Sequence, residues 1–112
     1  MTDEFEQWLE GCDEDTQEAV VAIFPLLREQ GPRLPRPFAD TLNGSRHPNM
    51  KELRPAKTIR VMFAFGPRRT GILLIGGDKA GQPQQRWYKR MIAKADKIYD
   101  RHLAGLAGKE SR

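Results

Sequence analysis

Glu52 and Arg54, two residues apart in Met50-Lys51-Glu52-Leu53-Arg54, and Arg60, near the head of Ile59-Arg60-Val61-Met62-Phe63-Ala64-Phe65, are the residues best placed to do chemistry. Side chains alternate across a strand, so Glu52 and Arg54 share one face of the first segment, and Arg60, Met62 and Ala64 share one face of the second. Leu53, Ile59, Val61, Phe63 and Phe65 make the opposite face apolar. The expectation is a sheet with one core face and one chemically equipped face. A carboxylate beside arginines suits a proton acceptor or an orienting group, and Arg54 and Arg60 can present planar forks that match phosphate oxygens as lysine cannot. The ordinary alternative is a cross-strand ion pair, worth little at a surface.

Two more groups can reach this face. Lys79 follows a third apolar segment, Ile72-Leu73-Leu74-Ile75, in a glycine-rich stretch, Gly76-Gly77-Asp78-Lys79-Ala80-Gly81, read here as a flexible corner. Tyr88 offers a ring and a hydroxyl at the start of the last helical pattern; its alternative is core packing, and that of Lys79 is a solvated loop charge. The glycine-rich stretch lacks the spacing and the Ser/Thr of a nucleotide-binding loop, which excludes an NTPase reading. His47 has the ordinary pKa for proton transfer, although a lone loop histidine is more often incidental. Lys51 alternates to the face opposite Glu52 and ranks below Arg54. Arg46, His47, Lys51, the pair Arg68-Arg69, and Arg86, Arg90 and Lys94 make up a basic set suited to nucleic-acid phosphates, which position without reading sequence. The plain alternative for the last three, with Lys97 and Arg101, is the wet side of an amphipathic helix.

The elements that must position these residues are legible in outline. Asp3 with Glu6 three residues on reads as a capping box, and Phe5, Trp8 and Leu9 share one helical face that ends at Gly11. Asp13 caps a second helix whose apolar stripe is Val20, Ile23, Phe24 and Leu27, with Pro25 predicting a kink. The two form a helical hairpin. Gly31-Pro32 ends the second helix, and Pro32, Pro35 and Pro37 stiffen the connector to a turn at Asn43-Gly44. An antiparallel sheet of at least three strands follows, the last two joined by Gly66-Pro67-Arg68-Arg69-Thr70-Gly71. A closing helix starts near Arg86 and packs Trp87, Met91, Ala95, Ile98 and Leu106. Helices, then strands, then a helix make an α+β fold, in one domain over residues 1–112.

Composition fits a single domain: 112 residues, 38% of them apolar, with nine aromatics to fill a core. Residues 1–31 hold nine acids and one base, a formal charge of −8, while residues 32–112 hold eighteen bases and six acids, +12. A basic body attracts phosphates by releasing counterions; the bland reading is solvated charge. Cys12 is the single cysteine and no Cys/His cluster has metal-ligand spacing, so neither a disulfide nor a metal site is expected. No cofactor is expected either. With no apolar run of membrane length and an acidic start unlike a secretory leader, the expectation is a cytoplasmic protein without a membrane partner.

Gly44-Ser45-Arg46-His47-Pro48-Asn49-Met50-Lys51-Glu52-Leu53-Arg54, Arg60-Val61-Met62-Phe63-Ala64-Phe65 with Pro67-Arg68-Arg69, Leu73-Leu74-Ile75-Gly76-Gly77-Asp78-Lys79 and Arg86-Trp87-Tyr88 occur in an order that resembles the phage-derived HigB-like branch of the RelE/ParE toxin superfamily. The resemblance spans about Asp3 to Leu103. It implies a RelE-like fold and the toxin of a type II toxin–antitoxin system: a ribosome-dependent, metal-independent mRNA endoribonuclease that inhibits translation. Glu52, Arg54, Arg60, Lys79 and Tyr88 would be its catalytic residues, since cleavage by the RNA's own 2′-hydroxyl needs a base, cations for the phosphorane charge and an acid for the 5′-oxygen. Its partners would be the ribosome, mRNA and a HigA-like helix-turn-helix antitoxin, with operator DNA reached only through that antitoxin. Two departures stand out. Such proteins usually carry a β-strand before the first helix, here missing or upstream of Met1, and Pro25 lies within a helix expected to be unbroken. The superfamily also contains ParE-like toxins that inhibit DNA gyrase by binding, and these need no convergent Glu, Arg and Lys.

Overall fold

A computed structural model describes residues 1–66 and 70–110. Helix α1 (Asp3–Glu10) and helix α2 (Glu14–Gln30) are followed by a short 3-10 turn (Gly31–Arg33). Four strands come next, β1 (Ala39–Thr41), β2 (Met50–Leu53), β3 (Ile59–Phe65) and β4 (Gly71–Asp78), and the chain closes with α3 (Gln84–Glu110). The strands form one antiparallel sheet in sequence order, β1-β2-β3-β4. This is the expected α+β arrangement, with one strand more than the three that the sequence outlined. Ala39-Asp40-Thr41 shows no alternation of its own and is held as a strand by pairing, Ala39 with Leu53 and Asp40 with Glu52.

The expectation of one core face and one equipped face is corrected. Both faces are covered: Phe5, Val20 and Ile23 of the first two helices pack on Leu53, Val61, Phe63 and Leu73, while Trp87, Met91, Ala95 and Ile98 of α3 pack on Met50, Met62, Ala64 and Leu74. Met62 and Ala64, which share the face of Arg60, are therefore core residues. On the α3 face the charged strand residues Glu52 and Arg60 lie toward the end of the sheet nearest the start of α3. Alternation told the two faces apart correctly; it could not tell that a helix covers the second one.

Local signals placed the helix starts closely. Asp13 caps α2, its Oδ1 accepting from the Thr16 amide at 2.8 Å. At α1 the cap is Thr2 rather than Asp3: its hydroxyl accepts from the Phe5 amide at 3.2 Å and donates to the Leu74 carbonyl at 2.7 Å. The Thr2 amide also donates to the Leu73 carbonyl at 3.1 Å, so the helix start is pinned to β4. A hydroxyl can do both jobs, whereas a carboxylate could not donate. Helix α2 runs through Pro25 to Gln30. The connection expected at Pro67, Arg68 and Arg69 lies outside the described residues.

Gly76 and Gly77, read from sequence as part of a flexible corner, are strand residues of β4 paired with Val61 and Arg60. Their missing side chains let helices approach from both sides. A Cβ at Gly76 would fall 2.3 Å from the Trp8 ring, and one at Gly77 3.0 Å from Met91 Cε and 3.1 Å from Trp87 Cζ2. Gly76→Ala is accordingly expected to destabilise the fold by about 1–3 kcal/mol, as overpacked cores do. Urea unfolding checks this, and in a Trp8→Ala background the same substitution is expected to cost far less.

Candidate active site

The five residues expected to do chemistry come together where β2 ends, β3 begins and α3 starts. Register brings this about: Glu52 pairs with Met62, and Arg60 pairs with Gly77, so Glu52 and Arg60 both point to the α3 side. Tyr88, one turn into α3, comes down onto them. Burial, and then the Glu52 carboxylate, push its phenol above the ordinary range, with Arg60 acting in the opposite sense. Tyr88 therefore stays protonated at neutral pH.

Glu52 is only 3% exposed. Its Oε1 accepts from Arg54 Nε at 3.0 Å and Nη2 at 2.9 Å, and Arg54 Nη2 also lies 3.4 Å from Asp40 Oδ2. The hydrogen bond to Glu52 holds the guanidinium more firmly in its charged form. About a third of the Arg54 side chain, 34%, remains open to solvent. Asp40 also receives Arg36 Nη2 at 2.8 Å, and that bond holds its carboxyl below the usual range. Asp40 was not singled out from sequence, because the only sign of its place is a strand too short to read.

Arg60 is 8% exposed and turns its head back on its own chain. Nη1 donates to the carbonyls of Ala56 at 3.1 Å, Lys57 at 3.2 Å and Ile59 at 2.9 Å. Among the described residues two buried side-chain atoms have no hydrogen-bond partner, Glu52 Oε2 and Arg60 Nε. Such groups are rare in folded proteins and each calls for an explanation. Lys79 completes the cluster from beyond β4, its amide donating to the Thr58 carbonyl at 3.0 Å. Its Nζ donates to Gln84 Oε1 at 2.7 Å and lies 5.9 Å from the centre of the Tyr88 ring. Gln84 was also unforeseen; α3 begins two residues earlier than the apolar spacing suggests.

The basic residues expected at an RNA surface divide into three groups. Arg86, Arg90 and Lys94 are exposed on α3, with Arg90 Nη2 3.5 Å from Gln82 Oε1. Arg46 and His47 sit in the loop before β2, tied to α3 well away from Glu52: the Arg46 amide donates to Asp96 Oδ2 at 3.1 Å, its guanidinium pairs with Asp100, and His47 Nε2 is 2.8 Å from Asp100 Oδ1. Asp96 and Asp100 lie eight and twelve residues beyond Tyr88, roughly 12 and 18 Å along a helix. In the sequence they are two of the three acids of a basic helix. Lys51 is on the opposite face, its Nζ donating to the Pro32 carbonyl at 3.1 Å. Arg68 and Arg69 are outside the described residues.

Among the described residues no group of three His, Cys, Asp or Glu side chains could hold a metal ion. None of the described helices is long and apolar enough to cross a membrane. What the cluster offers is a buried carboxylate, a partly exposed guanidinium, a neutral phenol and an ammonium, a set able to bind a phosphodiester and shift its protons.

Over 101 residues, 87% of this chain and 50% of the relative, the sequence is 48% identical to "Putative toxin HigB2" of Mycobacterium tuberculosis (strain ATCC 25618 / H37Rv). Over 104 residues, 92% of this chain and 90% of the relative, it is 46% identical to "Putative toxin HigB3" of the same organism. The chain thus spans about half the length of the first and nearly all of the second. No solved structure matches it. The family described as phage derived protein Gp49-like (DUF891) matches residues 7–100, which take in the whole sheet and every member of the cluster, and the chain belongs to that family.

Proposed function

We propose that this protein is the toxin of a toxin–antitoxin pair and works as a ribosome-dependent endoribonuclease that cuts mRNA and stops translation. The observation that carries the reading is the buried pair of Glu52 and Arg60, each with one unpartnered polar atom, both close enough to Tyr88 to act on its phenol. Kinship with two proteins named as toxins supports the biological role.

In this reading the RNA 2′-hydroxyl attacks the neighbouring phosphorus. Its proton passes to the Tyr88 oxygen while the Tyr88 proton moves to Glu52 Oε2, so a carboxylate too deep to touch RNA still acts as the base. Arg54, held by Glu52 with part of its fork open to solvent, takes the charge that grows on the non-bridging oxygens. Lys79 protonates the departing 5′-oxygen. The products are a 2′,3′-cyclic phosphate and a 5′-hydroxyl end, and the reaction calls on neither metal nor cofactor. Arg60 keeps the turn before β3 in shape and sets the field at Tyr88.

The partners in this reading are a ribosome with bound mRNA and a HigA-like helix-turn-helix antitoxin that covers the basic surface and alone contacts operator DNA. In this reading Arg86, Arg90, Lys94 and Arg46, together with the sequence pair Arg68-Arg69, supply cations for ribosomal phosphates, and the site of action is the cytoplasm. Purified protein is expected to cut message bound to ribosomes, read by primer extension, and to arrest growth when expressed without its antitoxin. Growth arrest with intact message and inhibited DNA supercoiling would replace this reading with a gyrase-binding toxin.

A further inference from the structure

Beyond Tyr88 the surface opens into a groove of about 480 Å³ between α3 and the turn that joins β1 to β2. Tyr88 is its near wall and Ile92 part of its apolar lining, while Asn43 comes from the turn and Gln85 and Lys89 from the helix. The two amides and the ammonium are exposed at its rim. The far wall is a built feature. Asp96, 5% exposed, accepts from the Ser45 hydroxyl and from the Arg46 amide, which fixes the Asn43–Arg46 turn against α3. Gly44 permits that turn at φ +95°, a value that favours glycine.

The groove shares Tyr88 with the candidate active site, so a chain whose phosphate lies at Arg54 has its neighbouring base within reach of it. Unpaired RNA bases are recognised by stacking on a ring and by hydrogen bonds to their edges, and Asn and Gln amides each offer a donor and an acceptor. We propose that this groove reads one unpaired nucleobase next to the scissile phosphate, with Asn43 and Gln85 as the specificity-determining residues. The proposal rests on the endoribonuclease reading above and adds to it the residues that choose where the RNA is cut.

The test uses wild type, Asn43→Ala, Asn43→Asp, Gln85→Ala and, as a control on exposed α2, Val21→Ala. Each is incubated with ribosomes carrying a message of mixed sequence, and the new 5′ ends are sequenced. Wild type and Val21→Ala are expected to share one base preference beside the cut. Asn43→Ala and Gln85→Ala are expected to flatten it roughly tenfold, within the range for losing an edge contact. Asn43→Asp, which trades a donor for an acceptor, is expected to move the preference to another base. If wild type cuts but without preference, or if the variants keep the wild-type preference, the groove is not a base reader, and the nuclease reading stands. If wild type makes no cuts, both readings fall. Circular dichroism confirms folding of each variant.

Discussion

Arg54→Lys is expected to lower the rate of mRNA cleavage on ribosomes by about 10²–10³-fold, the usual loss when one donor to a developing oxyanion is removed. The protein should stay folded. The lysine keeps a positive charge beside the buried Glu52 carboxylate, so the acid is not left unpaired, but it loses the planar fork that can hold Glu52 Oε1 and face a phosphate at once. Arg54→Ala is a poorer test because it strands a carboxylate that is 3% exposed and so disturbs the fold as well. Single-turnover cleavage with urea unfolding as the control separates the two effects. A lysine variant that cuts at the wild-type rate would mean that the fork of Arg54 only holds Glu52 in place.

That the site could be found at all from sequence depends on strand alternation, a local property that survives whatever packs on the sheet. Glu52, Arg54 and Arg60 were placed on one face by counting, and the register of β2 on β3 keeps them there. The capping side chain of Asp13 was legible for the same reason, since its bond to the Thr16 amide is made within one turn. What sequence could not show was decided by distant partners. β1 is a strand because Leu53 and Glu52 lie opposite it. Gly76 looks like a loop residue until Trp8 is known to lie on it. Thr2 replaces Asp3 as the cap because β4 supplies carbonyls for its hydroxyl. The depth of Glu52 and Arg60 follows from α3 crossing the second face, and that depth changes their proposed chemistry: two groups expected to meet RNA directly become groups that act through Tyr88 and Arg54.

Arg60 is where that difference is largest. If it holds the turn before β3, Arg60→Ala should cost roughly 3–5 kcal/mol of stability, as breaking buried charged networks does. Three carbonyls, those of Ala56, Lys57 and Ile59, lose their shared donor, and the Glu52 carboxylate loses the cation that shares Tyr88 with it. Growth arrest would then disappear for want of folded protein. Arg60→Lys, whose ammonium can still reach some of those carbonyls, is expected to recover part of the stability and part of the cleavage. Chemical denaturation of both variants, paired with cleavage measured at low temperature where the folded fraction is high, distinguishes the two roles. An Arg60→Ala protein as stable as wild type would show that this guanidinium does not hold the turn, and if it also cannot cut, that its role lies in the chemistry, at Tyr88 or at the phosphate itself.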